Sequence, residues 1–218
     1  MNLKIIFLAL IIVSQSLSQM REIERRTYFI QGDFEINFST SIGVGFLTMS
    51  NTIIDNYSTD PNSYEYSSRP FVFIISGSFG VCVIDGLSAE SEFDMNFIGD
   101  SDISTSIILN ASYHFNLPRK RTFPFIKLGY GWSNYFPGSS YNYQNNAKGS
   151  SFDTRVFNAG AGLKIIYSSD TVMKMELNYK RYTSSYSSSY VDPYYNQSST
   201  TDTDIDALTF SIGFSILI

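Results

Sequence analysis

The chain has 218 residues, of which 43% are hydrophobic, 16% aromatic and only 16% charged, with a formal net charge of −5. Its aromatic content excludes a disordered chain, and the lack of repeated apolar runs of about 20 residues excludes a bundle of membrane-spanning helices. One cysteine, Cys82, excludes a disulfide framework, and the acidic balance argues against nucleic acid as a partner.

The first element is N-terminal. Lys4 precedes the apolar run Ile5 to Val13, and a Ser/Gln stretch follows. A basic start, an apolar core of about 7–15 residues and small residues beyond it describe a secretory signal peptide. Ser16 and Ser18 occupy the small-residue positions, so cleavage is expected after Ser18, leaving 19–218 as the exported domain. Gln19 to Arg26 form a brief lead-in.

Eight strands are then expected, at approximately 28–40, 70–83, 88–98, 103–117, 122–135, 153–167, 171–183 and 205–218. Each rests on strict alternation, the period of a strand with two unlike faces. In the first, Phe34, Ile36 and Phe38 oppose Asp33, Glu35 and Asn37, and Ile42, Val44 and Phe46 keep the same parity towards Leu47. In the fifth, Ile126, Leu128, Tyr130 and Trp132 oppose Lys127, Gly129, Gly131 and Ser133. The last sets Leu208, Phe210, Ile212, Phe214, Ile216 and Ile218 against Thr209, Ser211, Gly213 and Ser215.

The connections differ in length. Ile84-Asp85-Gly86-Leu87, Pro118-Arg119-Lys120-Arg121 and Ser168-Ser169-Asp170 are tight, whereas 41–69, 136–152 and 184–204 are long, with a short link near Gly99-Asp100 among them. Tight turns at one rim and long loops at the other define an up-and-down transmembrane β-barrel, all-β, antiparallel and eight-stranded. Inverting the faces would give a secreted soluble barrel with an apolar interior. Two features favour lipid outside. The polar face is mostly Ser, Thr, Asn and Gly, small groups that suit a narrow lumen, whereas a wetted exterior is rich in Lys and Glu. Aromatic belts are also expected at both headgroup layers, with Trp132, Tyr135 and Tyr182 near the long-loop rim and Tyr113, Phe115, Phe123 and Tyr167 near the short-turn rim.

Several segments resemble small bacterial outer-membrane β-barrels of the OmpX/OmpA-barrel type: Gly80 to Leu87, Gln31 to Phe38, Pro124 to Gly131 and the C-terminal alternating strand. The similarity covers essentially the whole mature chain. It implies residence in the outer membrane of a diderm bacterium, contact with outer-membrane lipid and lipopolysaccharide, and delivery by the barrel-insertion machinery. In that family the last strand usually ends in an aromatic residue. Here Ile218 stands last, with Phe214 and Phe210 further in.

By parity the lumen receives Asp33, Glu35, Glu90, Glu92, Asp94 and Glu176, together with Lys127, Lys164, Lys174 and Lys180. The acids lie mainly on the first and third strands and the bases on the fifth to seventh, opposite one another in an eight-stranded barrel. They are expected to pair across the lumen and block it, because buried charges must be paired or hydrated. The alternative is that several sit at rims in bulk water. Lipid-modifying barrels would need a His with Ser and an acid near the outer rim. The sole histidine, His114, lies at the opposite end, so no catalytic, cofactor or metal residues are assigned. The Tyr/Ser/Asn-rich loops 41–69, 136–152 and 184–204 have the composition of adaptable binding loops, or simply of solvated surface. The expectation is a monomeric, non-catalytic outer-membrane barrel with a structural or adhesion-like role. A small porin-like channel is the first alternative and a lipid A-modifying enzyme the second.

Overall fold

A chain that alternates apolar and small polar residues can satisfy both faces at once only as a pleated strand between two different surroundings. The computed structural model describes residues 28–55, 62–99, 103–115, 121–134, 154–192 and 195–218. The expected signal peptide and lead-in, Tyr135 and loop 136–152 lie outside them. The strands are β1 (Phe34–Asp55), β2 (Asn62–Ser68), β3 (Phe71–Ile84), β4 (Leu87–Ile98), β5 (Ser104–His114), β6 (Thr122–Ser133), β7 (Thr154–Ile166), β8 (Thr171–Asp192) and β9 (Tyr195–Leu217). Every pairing is antiparallel and follows chain order, and β9 returns to pair with β1 and close the sheet.

Nine segments make an eight-stranded barrel because β2 and β3 are one strand with an interruption. Both pair with β1 in a single register, Leu47 opposite Ser68 and Val44 opposite Phe71. The break falls at Arg69-Pro70, since proline has no N–H to give a ladder. Its carbonyl still accepts the Gly45 N–H at 2.8 Å.

Register fixes the barrel's shape. A path of directly paired residues leaves β1 at Phe46 and crosses Asp206, Arg181, Phe157, Tyr130, Leu109, Ser91 and Phe79. It returns to β1 at Ile36, ten residues lower. That shear tilts eight strands by about 40° from the axis, at a rise of roughly 3.3 Å per residue and a spacing of about 4.8 Å. The tilted apolar face of β1 from Phe34 to Phe46 is therefore roughly 30 Å tall, the thickness of a bilayer's hydrocarbon core. Its side chains point away from the barrel: Phe38 is 67% exposed and Leu128, on β6, is 58% exposed. An apolar surface this continuous requires a lipid or protein cover.

Two expectations about strand extent are corrected. Residues 28–33 do not begin the first strand. Gly32 adopts φ 94° and Phe29 φ 56°, and the segment turns beneath the barrel instead. Segments 41–69 and 184–204 are not loops for most of their length. β1 runs on to Asp55 and pairs with β9 as far as Asp55 opposite Gln197, while β8 and β9 pair as far as Asp192 opposite Tyr195. The strand order β2-β1-β9-β8 thus continues beyond the rim as a protruding sheet.

Candidate functional site: the barrel lumen

The inward face is built in three layers. At the short-turn end, Phe29 enters the lumen and stacks on His114 with ring centroids 4.2 Å apart. Phe123 meets the Phe29 ring edge-on at 5.3 Å, and Tyr28, Cys82, Ile166, Val172 and Leu217 complete this apolar plug. Backbone bonds tie the plug to the β3–β4 turn. The Gly86 N–H donates to the Phe29 carbonyl and the Gly32 N–H to the Cys82 carbonyl, each at 2.8 Å, and the Gln31 N–H donates to Asp85 Oδ1 at 2.9 Å.

The middle layer is charged. Six side chains form one continuous chain of ion pairs from β8 through β6 to β4. Lys174 pairs with Glu176 at 2.9 Å, and Lys127 bridges Glu176 at 2.8 Å and Glu92 at 2.9 Å. Lys180 then bridges Glu92 at 2.7 Å and Asp94 at 2.6 Å. All six are buried. Neutral groups add further bonds: Asn110 donates to Glu92 at 3.0 Å, Asn158 to Asn110 at 2.8 Å, and Ser76 to Asp94 at 2.7 Å. Pairing and hydrogen bonding of this kind is what a charge cluster needs once water is removed. The strand sequence makes room for it at Gly160, where a Cβ would collide with the Glu176 carboxylate and the Asn178 amide.

A second pair lies nearer the plug, Lys164 with Glu35 at 2.5 Å. The Lys164 ammonium also stands 5.0 Å from the Phe29 ring centre and 5.4 Å from that of Phe125, within cation–π range. Glu90 takes hydrogen bonds from the Ser78 and Ser112 hydroxyls. Of the sequence-derived charged set, only Asp33 stays out of this interior. Its carboxylate accepts the exposed Ile30 N–H at 3.2 Å, in the turn below β1.

Above the charges the interior turns apolar again. Val72, Ile74, Ile98, Ile108, Val156, Tyr182, Ile205 and Ala207 pack together, with Leu47 against them. Tyr182 donates from its hydroxyl to Asn96 Oδ1 at 3.1 Å, and Asn96 donates to Ser106 at 2.7 Å. This layer and the Phe29 plug were missed by sequence reasoning. A signal existed: Ile74, Ile98, Ile108, Val156 and Ile205 all fall on the parity of the polar face.

Parity also corrects two of the expected belt aromatics. Tyr182 shares its face with Lys180, Asn178 and Lys174, and Phe123 shares its face with Phe125 and Lys127, so both point inward and are buried. Trp132, Tyr113, Phe115 and Tyr167 do face outward. His114 is fully buried, with Nδ1 3.3 Å from the Gly86 carbonyl, and its ring is covered by Phe29 and Phe125. Cys82 is a free thiol within the plug. Among the described residues no group of three or more His, Cys, Asp or Glu side chains could hold a metal ion.

No protein-family model and no curated protein matches the sequence. Solved structures do. The outer membrane protein OprG from Pseudomonas aeruginosa matches with a TM-score of 0.52 at 15% identity, covering 87% of this chain and 97% of that one. The N-terminal β-barrel domain of Pseudomonas aeruginosa OprF matches with a TM-score of 0.47 at 16% identity, covering 86% and 98%. Neisserial surface protein A matches with a TM-score of 0.46 at 11% identity, covering 85% and 99%. At these identities the likeness is one of fold. The chain has the closed eight-stranded antiparallel barrel fold of the small bacterial outer-membrane proteins it resembles.

Proposed function

We propose that this protein is a non-catalytic outer-membrane barrel whose lumen is closed and whose protruding strands meet partners at the cell surface. The observation that carries the reading is the continuous chain Lys174–Glu176–Lys127–Glu92–Lys180–Asp94, buried between two apolar layers. A hydrated ion path would have to break several of these contacts, each of which offsets the cost of a neighbouring buried charge. The lumen charges act as structure. The surface role falls to the sheet β2-β1-β9-β8 beyond the rim, where Tyr64 and Tyr66 are exposed on either side of Glu65 and lie opposite Asn51 and Met49, among Ser and Asn residues. Tyrosine gives contact area at low entropic cost, and Ser and Asn adapt their hydrogen bonds. Orientation follows the short turns inward and the protruding sheet outward.

A catalytic role finds no support in the site. His114 lies in the plug between aromatic rings, at the end away from the protruding sheet.

The test is a planar-bilayer recording of the full-length protein, with insertion checked by its shift on gels with and without boiling. Rare, small openings are expected. A large stable conductance would replace the closed-barrel reading with the porin-like one, and a soluble, heat-insensitive protein would overturn the membrane reading. Replacing 186–200 by a short turn is expected to reduce attachment while leaving the boiling shift unchanged.

A further inference from the structure

The outward faces of β3 to β9 carry no charged side chain among the described residues until the upper edge of the apolar band, where Arg155 on β7, Arg181 on β8 and Asp206 on β9 stand. There two arginines stand out. Arg155 on β7 is opposite Trp132 on one side and Thr183 on the other, and Arg181 on β8 is opposite Phe157 and Asp206. Arg155 and Arg181 are therefore diagonal neighbours on one face, with Cβ atoms within about 8 Å. Phe157 and Tyr179, both outward, lie directly below them towards the lipid.

Arg155 is exposed and makes no ion pair with a described residue. Arg181 is held loosely: Nη2 is 3.4 Å from Asp204 and Nε is 3.9 Å from Asp206. Asp206 also accepts the Tyr179 hydroxyl at 2.5 Å, so it divides its carboxylate between two partners. Arg155, which has no ion pair with a described residue, and Arg181, held at long range by two acids, thus share one outward face at the depth where Trp132 marks the headgroup layer.

We propose that Arg155 and Arg181 form a binding site for the phosphate group of an outer-leaflet lipid. A guanidinium fork matches phosphate bidentately, and two forks at this spacing grip one phosphate from both sides. The site faces along the bilayer rather than up into solvent, which selects a phosphate anchored on a lipid over free phosphate. Phe157 and Tyr179 supply apolar surface for the acyl chains beneath. This assignment rests on the outer-membrane reading above and names a partner for it.

The test uses the full chain folded in detergent micelles, with diphosphoryl lipid A as probe and retained lipid counted by native mass spectrometry. Wild type is compared with R155A/R181A and R155K/R181K, each checked for its boiling shift. The double alanine variant is expected to lose about tenfold in retention, a difference of about 1.4 kcal/mol. The double lysine variant should recover part of it, because an ammonium keeps the charge and loses the fork. Dephosphorylated lipid should be held weakly by all three proteins, and millimolar inorganic phosphate should not compete. Equal retention by wild type and R155A/R181A would overturn the site, and so would equal retention of the dephosphorylated lipid. Full displacement by inorganic phosphate would overturn the choice of a lipid. A wild type with no boiling shift would instead bring down the membrane reading on which the site stands.

Discussion

Strands β1 and β9 cross two regions, and their character changes where they pass from one to the other. Below the rim, Phe34, Phe38, Ile42, Val44 and Phe46 alternate on β1 with the buried Asn37, Ser39 and Ser41. Above it, the same outward parity carries Thr48, Ser50 and Thr52, paired with Asp204, Asp202 and Thr200 on β9. In the barrel wall each strand separates an apolar outer face from a packed lumen, so a one-residue slip would put every side chain on the wrong side. In the protruding sheet the described residues are mostly Ser, Thr and Asp, and the continuous backbone ladder carries the pairing. One region is held chiefly by its side chains and the other chiefly by its backbone.

That contrast predicts the sharpest loss at the centre of the lumen. Glu92→Ala removes the carboxylate that joins Lys127 to Lys180 and leaves both ammonium groups short of a partner away from water. A loss of about 3–5 kcal/mol is expected, read as a lower midpoint in urea unfolding of the folded barrel. An unchanged midpoint would mean that the interior charges are hydrated and separate.

On the outer side of the wall, Leu128 stands near mid-height of the apolar band, so Leu128→Arg should cost roughly 2–4 kcal/mol in a bilayer. Thr52→Arg, on the outward parity of β1 above the band, should cost nothing measurable. The two measured together, by unfolding from lipid vesicles, locate the membrane boundary without a structural probe. Equal costs would erase the distinction between the regions.

The plug gives the next effect in size. Phe29→Ala empties the space between His114 and Phe123 and loosens a segment anchored mainly by backbone bonds to the β3–β4 turn. Stability should fall by about 0.5–3 kcal/mol. The more direct readout is Cys82, the chain's sole thiol and part of that plug. Its reaction with a small water-soluble maleimide should be slow in the wild type and fast in the variant. Equal rates would show that Phe29 does not close the base.

The same contrast explains what could be read from the residues. β3 to β7 and the lower halves of β1, β8 and β9 announce themselves because two unlike media impose period two on the sequence. The upper halves do not. Stretches such as Ser184 to Ser189 and Ser198 to Thr203 have no apolar face to keep in register, so their Ser/Tyr/Thr composition reads as loop although it pairs as strand. Within the wall the errors came from treating each face as uniform. Ile74, Ile108 and Ile205 lie on the lumen side because the polar interior is capped by apolar layers, and Tyr182 falls on the inward parity of β8, where Asn96 accepts a hydrogen bond from its hydroxyl. The ion pairs were visible only as sets of facing strands. That Lys127 bridges Glu176 and Glu92 depends on shear, which sets heights across the barrel and leaves no trace in any one strand.

The smallest effect belongs to the protruding sheet, and it tests the comparison from the other side. Tyr64→Ser and Tyr66→Ser alter two side chains that are 65% and 60% exposed on β2, which among the described residues pairs only with β1. Each should change stability by no more than about 0.5 kcal/mol, the range of surface substitutions remote from buried features. Attachment to a surface should fall in the double variant if tyrosine supplies the contact area, because serine keeps the backbone ladder and removes the ring. A stability loss comparable to that of Leu128→Arg would mean that these rings pack within a fold of their own. The protruding sheet would then be held by side chains as the wall is, and backbone pairing would no longer account for its extent.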